Sequence, residues 1–398
     1  MRRMRRVSTI LVAIIAAAVP VLAHHGGGTF ELNKTVSFPN AKLTRLELIN
    51  PHSWLYFETT EPDGKVMKHR CEMRSAHVLR RSGWTADLFQ NGAKMDITAS
   101  PDRADPASCY LQTILFASGN RMDRYGQYVK APGGAVKEVR GAIRTANTAN
   151  RPARRPTGEP NLAGDWAPEQ VVMADPRGVG GGLVPLSTLA NAEPPAARRG
   201  GGGGGAPGAG RGRGPAGPRQ YAGAEVTPPG EAVAARLTQQ DNPRFKCLTT
   251  SIIFDWTFDG PVNRMTQSKD TITIEYGQMD LKRTVHTNMK AHPANVKQTR
   301  AGHSIGRWEG DTLVVDTVGF LPGVLNFPVS HSDKLHVVER FTLDPATLVL
   351  TREWEADDAD FLKGKATGRD RISPADAPFT EDKCKEQGFI DYSKQTGR

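Results

Sequence analysis

Apolar and polar positions alternate along most of this chain, and the period is close to two rather than 3.6. Leu43, Leu46 and Leu48 stand among Lys42, Thr44, Arg45 and Glu47, which predicts a half-buried strand from Lys42 to Ile49. Asn50-Pro51-His52 breaks that run, and an aromatic-rich stretch from Ser53 to Thr60, with Trp54, Tyr56 and Phe57, resumes it. Pro62-Asp63-Gly64 has turn chemistry and leads into Val66 to Glu72. Ser75 to Arg81 lacks the alternation and reads as a short helix, capped by Ser75 and stopped at Gly83. Asn91-Gly92 turns the chain into Lys94 to Ala99, and Tyr110 to Ala117 supplies a last strand. Three strands, a helix and two strands is the order of a five-stranded OB-like barrel.

From 130 to 160 the chain is polar, basic and punctuated by Pro and Gly, the pattern of a linker. A second domain is expected over 161–398. It is interrupted at 175–230 by a Gly/Arg/Pro-rich insertion that holds the run Gly200 to Gly205 and has too little to bury, so it is expected to be disordered. The Gly run matches G-x-G-x-x-G only trivially, with no strand before it and no helix after it, which excludes a dinucleotide site. After Cys247 short strands follow one another at Ile252–Phe258, Asn263–Ser268, Thr271–Tyr276, Leu281–Thr287, Ser304–Glu309, Thr312–Val318, Leu335–Leu343 and Leu348–Glu355. About eight strands at this spacing predict an antiparallel barrel or sandwich. The expected fold is mainly all-β, with an OB-like barrel at 24–129 and an antiparallel barrel after the linker.

The first residues change the picture of where the protein works. Arg2, Arg3, Arg5 and Arg6 precede an apolar run from Ile10 to Ala18, and Val21-Leu22-Ala23 makes a small-residue exit. That is the pattern of a secretory signal peptide over 1–23, cleaved after Ala23, and the apolar run is too short to span a bilayer. Ser8-Thr9-Ile10 fits a twin-arginine signal badly, so the general secretory route is expected, leading to the periplasm or beyond. Four cysteines in an oxidising compartment imply disulfides, and their split on either side of the linker favours Cys71–Cys109 and Cys247–Cys384.

The net charge of +10 does not imply nucleic acid. Four positive charges leave with the signal, and the stretches 130–158 and 185–230 carry net charges of +6 and +3. Everything else carries −3, so the folded domains exert no cationic steering. The basic linkers are left as a possible contact with the cell envelope.

Residues 24–118 resemble a bacterial family of exported domains of unknown function. The resemblance rests on His24-His25, Asn50-Pro51-His52-Ser53-Trp54, Arg80-Arg81-Ser82-Gly83-Trp84 and the strand opening at Gly92 to Ile97; it implies export and an OB-like fold. Residues 242–355, with the runs Gly302 to Asp316 and Leu335 to Phe341, are similar to C-terminal regions of uncharacterised secreted proteins. Asn161-x-x-Gly164-x-Trp166 resembles the first strand of a lipocalin, from which the long insertion just after it departs.

Three groups of residues carry candidate chemistry. Cleavage after Ala23 would leave His24 as the first residue. Its α-amine and ring Nδ1, with His25 or His52 as a further imidazole, would form a nitrogen-rich set suited to Cu(II). Met67 and Met73 would add soft character. The second group lies on the C-terminal strands. Glu339 shares a face with Leu335, Val337, Phe341 and Leu343, and Asp316 is flanked by Val314 and Val318. An acid on an apolar face is either paired, here with Arg283 or Arg352, or lines a pocket, where with His303 or His336 it would do general acid–base work. Third, His286, His292, His303, His331 and His336 would have to gather for a zinc site, although their spacing matches no compact motif. The expectation is a binding protein, for copper at its mature N-terminus or a small apolar ligand in the second barrel. A periplasmic enzyme and an envelope-interaction protein are the alternatives.

Overall fold

The computed structural model describes residues 30–81, 84, 89–103, 105–119, 121–124, 128–129, 148, 150–169, 171–173, 183–185, 219–238 and 241–385. The expected signal peptide, His24, His25 and the Gly run at 200–205 lie outside the described residues.

The first barrel contains β1 (Val36–Glu47), β2 (Trp54–Thr60), β3 (Val66–Glu72), α1 (Ala76–Arg81), β4 (Lys94–Pro101) and β5 (Ser108–Phe116). The strands pair in the order β3-β2-β1-β4-β5, and β3 closes on β5 in parallel at Arg70↔Ser108, Cys71↔Cys109 and Glu72↔Tyr110. This is the five-stranded closure expected of an OB-like barrel, with the helix between its third and fourth strands. β1 is longer than its apolar alternation indicates because it serves two partners, β4 through its first half and β2 through its second. Leu43, Leu55, Phe57, Ile97, Leu111 and Ile114 fill the interior, and Trp84 stacks on Phe89 at 4.7 Å to close one end. The Cys71–Cys109 disulfide forms across the parallel seam, and β6 (Arg121–Asp123) and β7 (Tyr128–Val129) extend the sheet beyond β5.

The second barrel is larger. After β8 (Gly164–Pro168) come the small hairpins of β9 (Val171–Met173) with β10 (Leu183–Pro185) and β11 (Gln220–Tyr221) with β12 (Ala224–Val226), then α2 (Pro228–Ala234). Its wall continues with β13 (Asn263–Gln267), β14 (Thr271–Glu275), β15 (Lys282–His286), β16 (His303–Glu309) and β17 (Thr312–Val318). A hairpin of β18 (Gly323–Asn326) and β19 (Val329–His331) precedes β20 (His336–Leu343), β21 (Leu350–Asp357), β22 (Leu362–Lys363) and β23 (Ala366–Pro374). Nine strands close in the order β8-β13-β14-β15-β16-β17-β20-β21-β23 and back to β8. Every neighbouring pair is antiparallel except β15–β16, which meet in parallel over Val285↔Ser304 and His286↔Ile305.

Several local outcomes differ from the sequence expectation. Ile252–Phe258 is a succession of turns rather than a strand, with the amide of Phe258 bonded to the carbonyl of Phe254 at 3.2 Å. It enters the barrel, where Trp256 packs edge-on against Tyr276 and Phe341. β23 completes the wall although charges dominate its sequence, because Ala366 and Ile372 are the residues that turn inward. Residues 150–160, within the expected linker, lie against the barrel: the Arg151 guanidinium covers the ring of fully buried Trp166 at 4.1 Å and donates to the Ala163 carbonyl at 2.7 Å. Residues 219–230, inside the compositional bounds of the insertion, are ordered because Ala224 and Val226 reach the barrel core.

Polar contacts join the two barrels. Asp259 accepts from Arg74 of the small barrel at 2.8 Å and from Arg244 at 3.1 Å. Arg81, at the end of α1, donates to the carbonyls of Gly260 and Pro168 and to Asp376. The segment 375–385 then runs back to the small barrel, where Asp382 meets Asn50 and His77 and the Cys247–Cys384 disulfide pins it. Among the described residues no helix is long and apolar enough to cross a membrane. With two disulfides, this fits a secreted or extracytoplasmic protein.

Candidate functional site

The seam between the barrels leaves a cleft of about 330 Å³. The small barrel lines it with His52, Glu72, Met73, Arg74 and Tyr110, and the large barrel with Arg244, Phe245, Thr250, Phe254, Phe258 and Asp259. His52 reaches it because Asn50-Pro51, a cis peptide bond, turns the chain between β1 and β2. Glu72 ends β3, and its Oε1 lies 2.8 Å from His52 Nδ1. The ring also meets Phe245 edge-on at 6.1 Å.

The opposite wall is aromatic and cationic. Phe254 and Phe258, four residues apart on the turns that enter the barrel, stack at 4.3 Å, and the Arg244 guanidinium lies 3.9 Å above Phe258. Among the described residues, Phe258 is one of few large apolar side chains left exposed. Burial lowers the Arg244 pKa, and Asp259 opposes that shift. Burial by itself would raise the Asp259 carboxyl, but Arg74 and Arg244 together hold it below the usual carboxylate range. Asp259 thus offsets one of the two guanidinium charges, and Glu72 across the cleft balances the other.

Beneath it lies a polar pair that is not fully used. Thr250 donates its amide to Asp255 Oδ2 at 2.8 Å, while Thr250 Oγ1 and Asp255 Oδ1 are buried without a hydrogen-bond partner. Burial pushes the Asp255 carboxyl up to about 7, against the pull of Arg244. A buried hydroxyl without a partner on a cleft wall costs stability unless something else satisfies it.

The acids read from the strands go to opposite sides of the barrel wall. Glu339 is interior and fully buried, with Arg283 at 2.6 and 2.9 Å and Arg352 at 3.1 Å; both arginines considered as partners bind it. Burial would raise its pKa, yet Arg283 and Arg352 hold it below the ordinary range. Arg352 extends the network to Asp370 and to the carbonyls of Ile252 and Ile253. Trp256, Tyr276 and Phe341 occupy the space around these groups.

Asp316 faces outward instead, because the inward residues of β17 are Leu313, Val315 and Thr317. Val314 sits on its outer side, in register with Arg307 and Arg340. There Asp316 Oδ1 accepts from His292 Nε2 and His336 Nε2, each at 3.1 Å, and His336 Nδ1 lies 3.3 Å from Asp357. The bond to Asp316 raises the His336 pKa. His292 Nδ1 meets His303 Nδ1 at 2.8 Å, and His303 stacks on His286. Burial, followed by the neighbouring His292 and His286, lowers the His303 pKa. Four of the five histidines considered for zinc thus assemble; His331 is apart, buried with its Nδ1 on the Ser332 carbonyl. No three His, Cys, Asp or Glu among the described residues are placed to hold a metal ion.

The sequence reading reached His52 and Met73 but not Arg244, Thr250, Phe254 or Phe258. The four-residue spacing of Phe254 and Phe258 was no signal, because it puts both on one face of a strand as well as of a helical turn. A family of unknown function (DUF6152) matches residues 12–109, a span that includes His52 and both cysteines of the first disulfide. No curated protein and no solved structure matches the chain.

Proposed function

We propose that this is an exported binding protein whose small, flat and largely apolar ligand lies in the cleft between the two barrels. The observation that carries the reading is Thr250 Oγ1, a buried hydroxyl without a partner on the wall of a cleft that Tyr110, Phe245, Phe254 and Phe258 also line. The stacked Phe254 and Phe258 suit a planar body, and His52 and Thr250 supply directional hydrogen bonds. Glu72 and Asp259 balance Arg74 and Arg244 in the lining, so the ligand need bring no charge of its own. Export rests on the signal-like segment at 1–23 and on two disulfides.

The test is a thermal-shift and calorimetric screen of neutral planar aromatic compounds against the full-length protein and two variants, Phe258→Ala and Thr250→Val. Hits that weaken about tenfold in either variant support the reading. Hits that bind both variants as tightly as the wild type place the ligand elsewhere and reject it.

A second reading, copper at a mature N-terminus beginning with His24, is favoured by one contact. Phe30 stacks on Tyr110 at 5.3 Å, and Tyr110 lines the same cleft as His52. Six residues of chain reach about 20 Å when extended, far enough for His24 to approach the imidazole of His52, which has Glu72 beside it. Titration with Cu(II) of protein starting at His24, and of protein carrying one added residue before it, decides the matter. Equal affinity in the two removes the copper centre.

A further inference from the structure

Outside the cleft, the point where β15 and β16 run in parallel leaves a recess of about 420 Å³ in the barrel wall. Lys282, Arg283, His286, Thr299, Arg300 and His303 line it, and no aspartate or glutamate does. Arg283 is tied to Glu339 and Lys282 pairs with Glu275 at 3.1 Å, whereas Arg300 has no ion pair among the described residues. The Arg283 Nε, although buried, has no hydrogen-bond partner.

The loop that carries Arg300 is held on both sides. Thr299 donates its amide to the Gly319 carbonyl and accepts from the Leu321 amide, and its hydroxyl donates to the Gly302 carbonyl at 3.0 Å. Gly302 has φ +68, and a Cβ there would come within 2.7 Å of Thr317 Cγ2, so the turn is specific to glycine. Arg300 is therefore presented from a fixed backbone.

The hydrogen-bond chain behind the recess defines the chemistry of His303. Asp316 can only accept, so His292 gives it the Nε2 proton and, when neutral, accepts at Nδ1. His303 then donates from its own Nδ1, which leaves its Nε2 with a lone pair and no proton. An anion bearing one remaining proton fits that pattern: its O–H donates to Nε2 while its bare oxygens accept from Arg300.

From these residues we infer that the recess is a binding site for inorganic phosphate, whose dianion at neutral pH keeps one proton. Sulfate, and a phosphomonoester above its second pKa of about 6, have the oxygens but not the proton that His303 accepts. The site is independent of the cleft ligand and of the copper centre.

Calorimetry on the full-length protein at pH 7.5 tests the inference, with sodium phosphate, phenyl phosphate and sodium sulfate as probes. One saturable site for inorganic phosphate is expected, with phenyl phosphate and sulfate weaker. Arg300→Gln and His303→Phe should each weaken binding about tenfold, and Arg340→Gln, on the outer wall beside Glu309, should leave it unchanged. Binding of inorganic phosphate alone supports the proton-dependent recognition. No saturable heat with inorganic phosphate, phenyl phosphate or sulfate binding as tight as inorganic phosphate, or unchanged affinity in the Arg300→Gln variant overturns the proposal. Arg300 is exposed, so that variant decides the case even where His303→Phe does not fold.

Discussion

His77 Nε2 lies 3.1 Å from Asp382 Oδ1, joining α1 of the first barrel to the C-terminal strap across 305 residues of sequence. Asp382 also takes the Asn50 side-chain amide and, on its other oxygen, the Met279 backbone amide at 2.5 Å. Its side chain is fully enclosed. The cleft exists because this seam holds the barrels at one separation. Asp382→Ala removes an acceptor that serves three donors, so a loss of about 3 kcal/mol is expected. Urea unfolding measures it, and a loss below about 1 kcal/mol would mean that the seam does not depend on this carboxylate.

Acid should weaken the interior of the second barrel first. Glu339 in the fold resists protonation because Arg283 and Arg352 surround it, while in the unfolded chain an ordinary glutamate takes a proton near pH 4.3. Its contribution is present above that value and is lost as pH falls from there through the lower folded pKa. The urea midpoint should therefore drop below about pH 4, and Glu339→Gln, already less stable at pH 7, should lose less on acidification. Parallel curves for the two proteins would refute this.

Asp255 has the opposite sign. Its carboxyl is raised to about 7, so between about pH 4 and 7 the fold keeps a proton that the unfolded chain has released. Stability contributed by this group falls as pH rises through that window. Asp255→Asn should flatten the dependence and be more stable than wild type at pH 8, as read from urea midpoints at pH 5 and 8. A variant less stable at both values would show that a carboxylate is required there.

The Cys247–Cys384 disulfide spans 137 residues and fixes the strap that carries Asp382. Replacing both cysteines with serine should cost about 2–5 kcal/mol and open the 375–385 segment to proteolysis. Limited digestion followed by mass spectrometry reads the result. Unchanged cleavage would mean that the hydrogen bonds at Asp382 suffice.

Period-two alternation made the strands legible, and it placed Glu339 correctly because Val337 and Phe341 beside it truly face inward. The same rule misplaced Asp316: its valine neighbours are on the outer face, Val314 in register between two arginines, so apolar flanks were not evidence of the interior. Ile252–Phe258 misled for a related reason, since a dense apolar run has no period and only the filled barrel decides that it turns. The Asn-Pro-His turn singled out His52. The cleft around it was not legible, because Thr250 and Phe258 meet His52 only through the docking of two separately patterned barrels.

A crystallographic screen with small aromatic fragments tests the cleft most directly. The expected result is density for bound fragments against Phe254 and Phe258, with a polar atom within hydrogen-bonding distance of Thr250 Oγ1 or His52. Fragments that gather elsewhere on the protein and leave this cleft to water would contradict it.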